Sequence, residues 1–276
     1  MTSAGTLFPR SSGTVPPKRI AIFTATPWEL RAVLSAFSPR IERPISGLPV
    51  FVHTRGDREY WLVQTGVGLE NAGRSAAQLL DHQSFSLMVS TGFACALIAA
   101  DIGALLLGRE VVQRGQHNDE PSEALDVPGD ERDLTVTFVE SLVRPEHIGR
   151  FVSTERVIGS AREKQEVVLS TQAIGLDMES SALAAQARRA RVPFVIIRSV
   201  SDLLDEDLPL DFNLFLRPTG WLKGIGAVLA APSSCLRGLS RLRRQSLIAA
   251  KALTAFFRSY AAAMADEEKK KEPSPT

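Results

Sequence analysis

Two carboxylates, Glu179 and Asp202, bracket a stretch in which helix, turn, apolar strand and acidic loop succeed one another between Ile174 and Pro209. Glu179 stands at the start of the helix and Asp202 just past the end of the strand. Both can therefore point into one crevice, because open α/β sheets bind ligands beyond the carboxyl ends of their strands. Each also has a plainer use. Glu179 suits the first turn of a helix, where the dipole favours an anion, and Asp202 opens the acidic run that ends at Asp207. A third carboxylate, Glu29, closes Thr26-Pro27-Trp28-Glu29, a capping box with Thr26 as N-cap and Pro27 at the first helical position. Capping and chemistry are both open to it. Thr65-Gly66-Val67-Gly68 follows a strand, where glycines let backbone amides approach a ligand at the N-terminus of the next helix.

The elements that must position these residues alternate. Arg19–Thr24 reads as a strand, and Leu30, Val33, Leu34 and Phe37 continue at helical spacing after Pro27. Val50–His53 and Tyr60–Gln64 flank the polar turn Arg55-Gly56-Asp57-Arg58 as a hairpin. A helix over Leu69–His82, a strand over Ser86–Ser90 ending in Thr91-Gly92-Phe93-Ala94, and a strand over 102–112 follow. Residues 113–133 are polar and rich in Gly, Pro and acid, and no element is assigned to them. A helix around Leu134–Val143 leads to a strand that begins at Gly149 and runs into a loop, then a short strand at Ile174–Leu176 and a helix over Met178–Arg191. Val192–Val200 is nearly all apolar, as a central parallel strand covered on both faces must be. Arg198, an isolated charge within it, is expected to pair with a buried carboxylate. The pattern implies a wound α/β sheet.

With 276 residues, 44% hydrophobic and 23% charged, the chain suits one α/β domain with tails. Expected boundaries are a disordered extension over 1–18, the domain over 19–230, a helical extension over 231–265 and a disordered charged tail over 266–276. A formal net charge of +1 provides no pull toward nucleic acid. Cys95 and Cys235 stand far apart with no CxxC and no clustered histidine, so neither a disulfide framework nor a metal site is signalled, and no cofactor is expected. The first residues lack the apolar run of a secretory signal and no stretch of about 20 apolar residues could span a bilayer, so a cytoplasmic location is expected. The segment Pro232–Met264 alternates apolar residues with Arg237, Arg241, Arg243, Arg244, Lys251 and Arg258. Such a basic amphipathic helix covers a core or makes peripheral contact with a membrane surface.

Asp177-Met178-Glu179-Ser180 and, one helix later, Val192-Pro193-Phe194 running into Arg198-Ser199-Val200-Ser201-Asp202 resemble the nucleoside phosphorylase and nucleosidase superfamily, above all the methylthioadenosine/S-adenosylhomocysteine nucleosidases. Arg19–Phe37, Leu62–Gly73 and Leu87–Leu97 extend the resemblance over most of residues 19–210. It implies a three-layer fold with a central mixed twisted sheet flanked by helices, a small-molecule purine nucleoside as ligand, and a homodimer. It also implies roles: Asp202, with Ser201 beside it, would protonate purine N7, Glu179 would accept the ribose hydroxyls, and Met178 would pack on the sugar. Glu29 would act as base on the attacking water, the backbone at Val157 and Ile158 would face the purine, and Gly92 and Phe93 would form the opposite wall. An aspartic acid serves as an acid at neutral pH only if burial or a hydrogen bond holds its proton.

The sequence also departs from that pattern. Phe93-Ala94-Cys95-Ala96 replaces a small Ser-Ala-Gly-Gly turn, and Gly103-Ala104 replaces a Gly-Asp. No arginine lies between Met88 and Thr91, where the phosphorylases of this superfamily place one for phosphate, which favours water as nucleophile. The long Leu- and Arg-rich region after Pro218 is also similar to the hopanoid-associated phosphorylases, which release adenine from adenosylhopane. An inactive nucleoside-binding module is the third reading.

Overall fold

The computed structural model describes residues 17–37, 41–115, 123–124, 129–210, 213 and 233–271, so most of the expected N-terminal extension lies outside the described residues. Among the described residues ten strands form one mixed sheet. Strand β1 (Lys18–Thr24) leads to α1 (Pro27–Leu34), the short β2 (Ile41–Glu42), the hairpin β3 (Val50–Arg55) and β4 (Arg58–Gln64), and α2 (Leu69–His82). Then come β5 (Leu87–Ala96), β6 (Leu105–Arg114), β7 (Glu123–Ala124), α3 (Asp130–Glu140) and β8 (Ile148–Thr154). The chain closes with α4 (Ala161–Thr171), β9 (Gly175–Asp177), α5 (Ser180–Ala190), β10 (Phe194–Asp202) and α6 (Ser233–Lys271).

The sheet curls on itself. β5 pairs with β10, β10 with β6, β6 with β8, β8 with β9, and β9 again with β5, while β1, β4, β3 and β2 extend the sheet from β5. Successive residues of β10 face opposite ways, so Ile196 and Val200 join one core with α2 and α5, and Val195 and Ile197 join the other with α1 and α6. That double burial is why the first four residues of the strand, Phe194–Ile197, are all apolar. A third core, around Val152, Val167 and Leu176, packs α4 against the closed end of the sheet.

Four elements differ from the sequence reading. β5 does not stop at Ser90: it runs to Ala96, because Gly92 adopts φ +143 and the ladder to β10 continues past it to Cys95. Helix α4 occupies the segment read as loop; Ser160 caps it by accepting from the Glu163 amide, and Val167 is its buried anchor. Part of the polar 113–133 segment is structured, since β6 reaches Arg114 and α3 begins at Asp130, its acidic first turn matching the helix dipole. The C-terminal region is one 39-residue helix, roughly 58 Å long. It continues to Lys271 through the first residues of the expected disordered tail, which are good helix formers. No helix among the described residues is long and apolar enough to cross a membrane.

One buried ion pair locks the outer layer to the sheet. Arg58 on β4 donates to both oxygens of Glu131 on α3 at 2.9 and 3.1 Å and to the carbonyl of Met264 on α6 at 3.0 Å, while Lys18 reaches Glu131 at 2.7 Å. Burial opposes the charge on Glu131, but the bonds from Arg58 and Lys18 prevail and hold its carboxyl below the usual range. Glu131→Gln leaves the buried Arg58 with Asp57, 2.7 Å from its Nη1, as the remaining anion, and should cost on the order of 2 kcal/mol, the scale of a lost charged hydrogen bond, in urea unfolding at neutral pH. Because a depressed carboxyl stabilises the fold only while ionised, the deficit should shrink as pH falls below the ordinary carboxylate range.

Candidate active site

The carboxyl ends of β1, β4, β5, β8, β9 and β10 converge on a cavity of about 410 Å³. At the β1–α1 turn the capping box is real: Thr26 Oγ1 accepts from the Glu29 amide at 3.3 Å, and Glu29 Oε2 accepts from the amides of Thr26 at 2.7 Å and Ala25 at 3.1 Å and from Thr26 Oγ1 at 2.9 Å. Its second oxygen, Oε1, accepts from the Phe93 amide on β5 at 2.7 Å and borders the cavity. Glu29 therefore both caps α1 and presents an acceptor to a ligand. The approach is possible only because residue 92 is glycine. A Cβ there would lie 2.3 Å from Glu29 Oε1 and 2.7 Å from Arg198 Nη1, and φ +143 is a conformation that side chains disfavour.

Behind this wall lies Arg198, 1% exposed. Its Nη2 is 2.9 Å from Asp177 Oδ2 and 3.4 Å from Glu179 Oε2, with the hydroxyls of Ser90 and Ser180 at 3.0 and 3.2 Å. Asp177 also accepts from the amides of Glu179 and Ser180 and from Ser153 Oγ, which fixes the turn from β9 into α5. Glu179 occupies the N-cap position of α5, one residue earlier than a first-turn site, and Oε1 accepts from the Gly68 amide at 3.0 Å. Gly66 and Gly68 have φ of +86 and +95, so the glycines of the Thr65–Gly68 turn bring that amide to the carboxylate. Burial pushes the Glu179 carboxyl up to about 7; Arg198 resists, the charges of Asp177 and Glu29 add to the rise, and the Gly68 bond resists again.

Asp202 reaches the cavity through an irregularity. The ladder between β10 and β5 slips between Val200 and Asp202, leaving Ser201 as an extra residue, and both Ser201 and Asp202 line the cavity. Bulges re-aim side chains in this way. Burial raises the Asp202 carboxyl above its usual range, while Lys164, whose Nζ lies 2.8 Å from Oδ2, and the Cys95 thiol oppose the rise and Glu206 adds to it. The net direction is the one an acid requires.

Glu29, Phe93, Val157, Ile158, Met178, Glu179, Ser201 and Asp202 all line this one cavity, and Gly92 lies just behind it. Arg198 pairs with carboxylates, as its place in an apolar strand suggested. One expectation needs correction. The main-chain N–H and C=O of Val157 do not face the cavity unpaired: the Asn213 carboxamide accepts from the former at 2.7 Å and donates to the latter at 3.0 Å. A side chain 56 residues away in sequence thus occupies the edge assigned to a purine. Sequence reasoning also missed Asp177 as a wall residue, Lys164, and Leu242 of α6, which closes the cavity beside Leu208. The run Ser160-Ala161-Arg162-Glu163 was a readable cap signal for the helix that carries Lys164. No signal pointed to Leu242. Among the described residues no group of His, Cys, Asp and Glu could hold a metal ion.

A family model described as the phosphorylase superfamily matches residues 19–217. The 5'-methylthioadenosine/S-adenosylhomocysteine nucleosidase of Staphylococcus aureus (strain MRSA252) is 25% identical over 213 residues, covering 71% of this chain and 92% of the relative. Among solved structures, the Helicobacter pylori 5'-methylthioadenosine/S-adenosyl homocysteine nucleosidase is similar with a TM-score of 0.63 at 16% identity, over 91% of this chain and 98% of that one. The futalosine hydrolase of Helicobacter pylori strain 26695 gives 0.60 at 16% identity, over 83% and 98%. At such identities the structural likenesses show the fold.

Two outcomes follow from the geometry. Gly92→Ala should displace Glu29 and lower turnover roughly 10²-fold, the scale of an ångström of misplacement, in steady-state assays of a folded variant. Glu179→Gln bears on stability. A carboxyl held above its ordinary value stabilises the fold below the ordinary value and loses that contribution as pH rises toward about 7. The melting temperature of Glu179→Gln relative to wild type should therefore improve between about pH 5 and about pH 8; a pH-independent difference would contradict the raised carboxyl.

Proposed function

This chain belongs to the phosphorylase superfamily, and on that premise we propose that it is a purine nucleosidase that hydrolyses the N-ribosyl bond of an adenine nucleoside such as methylthioadenosine or S-adenosylhomocysteine. The curated relative with that activity supports the reaction class. The observation that carries the choice of water over phosphate is the cavity lining. Among the described residues, four carboxylates, Glu29, Asp177, Glu179 and Asp202, line it and no lysine or arginine does; most of the remainder is apolar. Such a wall suits a neutral nucleoside whose sugar becomes cationic and repels a phosphate dianion.

In this reading Asp202 gives its proton to purine N7 as the C1'–N9 bond breaks and its electron pair passes to the base. Glu179 accepts the ribose hydroxyls, and its charge, with that of Glu29, stabilises the ribosyl cation. Water attacks C1' from the Glu29 side and loses its proton to that carboxylate, releasing free base and a ribose hydroxylated at C1'. Met178, Leu208 and Leu242 form an apolar end for the 5' substituent. The outer face of α6 exposes Arg237, Arg243, Arg244 and Lys251 around Leu247 and Ile248, which fits peripheral contact with an anionic surface.

The test is chromatography of products after incubation with methylthioadenosine, S-adenosylhomocysteine, inosine and an adenosyl lipid, each with and without phosphate. Free base and the free sugar that keeps the substrate's 5' substituent are expected without phosphate. A strict phosphate requirement with the corresponding ribose 1-phosphate as product would replace the hydrolase reading by the phosphorylase one, and adenine binding without turnover would leave a binding module. Asp202→Asn should lower kcat by roughly 10³-fold with an unchanged circular dichroism spectrum. Full activity in that variant would remove Asp202 from the acid role.

A further inference from the structure

Lys164 has no exposed surface, although a buried ammonium is costly unless every N–H is matched. Its three donors are all taken by one segment: Asp202 Oδ2 at 2.8 Å, the Leu203 carbonyl at 2.8 Å and the Glu206 carbonyl at 2.7 Å. The surrounding bonds are of the same kind. One turn earlier on α4 the Ala161 amide donates to Asp207 Oδ1 at 2.8 Å, and the Leu208 amide donates to the Gly159 carbonyl at 2.8 Å. The start of α4 thus joins the loop that carries Val157 and Ile158 to the segment that carries Asp202 and Leu208, two walls of the same cavity.

Resting on the nucleosidase reading, we propose that Lys164 is a positioning residue: its ammonium reserves Oδ2 of Asp202 and pins the 203–206 backbone to α4, leaving Oδ1 as the oxygen that delivers the proton. The groups facing Asp202 are Lys164 from α4, Cys95 from β5 and Glu206 from its own loop. Lys164 is the cation among them, and it favours the ionised carboxylate. Removing it therefore has two opposed effects. The carboxyl keeps its proton to higher pH, and its orientation is lost.

The experiment measures kcat and KM across pH for wild type and Lys164→Met with methylthioadenosine. The variant should lose kcat roughly 10²-fold at neutral pH, and its alkaline limb should move up by about one pH unit, the scale of removing an opposite charge. A merely structural lysine would lower kcat without moving the limb. A wild type that releases base while Lys164→Met keeps its limb and rate overturns the role of Lys164 alone. A wild type that releases no base from any purine nucleoside overturns the nucleosidase reading and the role with it. If Lys164→Met melts too low to assay, melting decides: Lys164→Met/Asp202→Asn should melt above Lys164→Met at about pH 8, because the orphaned buried carboxylate is gone. A double variant no more stable than Lys164→Met overturns the pairing.

Discussion

The guanidinium of Arg198 is the interaction on which the site depends. Asp177, Glu179 and Glu29 converge within a small, water-poor volume, and three such charges would repel one another or take up protons without a cation among them. Arg198, on the central strand and fully enclosed, supplies that cation, and its own charge is maintained by those carboxylates against the cost of burial. Its Nη2 reaches Asp177, Glu179 and the hydroxyls of Ser90 and Ser180, while Nη1 donates to the carbonyls of Thr91 and Phe93 at 3.4 Å. A lysine, with one nitrogen, could not serve both groups. β10 carries this charge behind the cavity wall and Asp202 to the cavity itself.

Burial acts on both principal carboxyls in the same direction, yet their partners differ. Glu179 is held between a backbone amide from the Gly68 turn and Arg198, an arrangement that fixes its carboxylate at the edge of the cavity. Asp202 sits at a bulge with one oxygen tied to Lys164 and the rest of the carboxyl at the cavity, an arrangement suited to a group that must hold and release a proton. Glycine 92 complements both. By carrying no side chain it admits Glu29 and Arg198 to one point, and the Phe93 amide holds Glu29 there whatever the side chain at 93. The replacement of a small-residue turn by Phe93-Ala94-Cys95-Ala96 therefore alters the lining of the wall and leaves its backbone function in place.

Local pattern was enough for the alternating elements. The apolar run Val192–Val200, the capping box at Thr26–Glu29 and the helix after Glu179 are decided by side chains within a few residues of one another, and each stands close to where it was read. What escaped was set by distant neighbours. β5 passes through Gly92 because β10 offers a ladder to it, and α4 forms where Val167 finds the core around Val152 and Leu176.

By itself the sequence determined which residues could do chemistry: Glu29, Glu179 and Asp202 stood out because each opens or closes a recognisable element, and strand ends are where α/β sheets bind ligands. Only the tertiary structure decided their environments. That Lys164 faces Asp202, that Asn213 takes the Val157 backbone and that Leu242 closes the cavity beside Leu208 bring together residues 38, 56 and 34 positions apart in the chain. No local spacing encodes them, because the energy that brings those groups together comes from burying the cores of the sheet and its helices, and the polar partners are carried along by that packing.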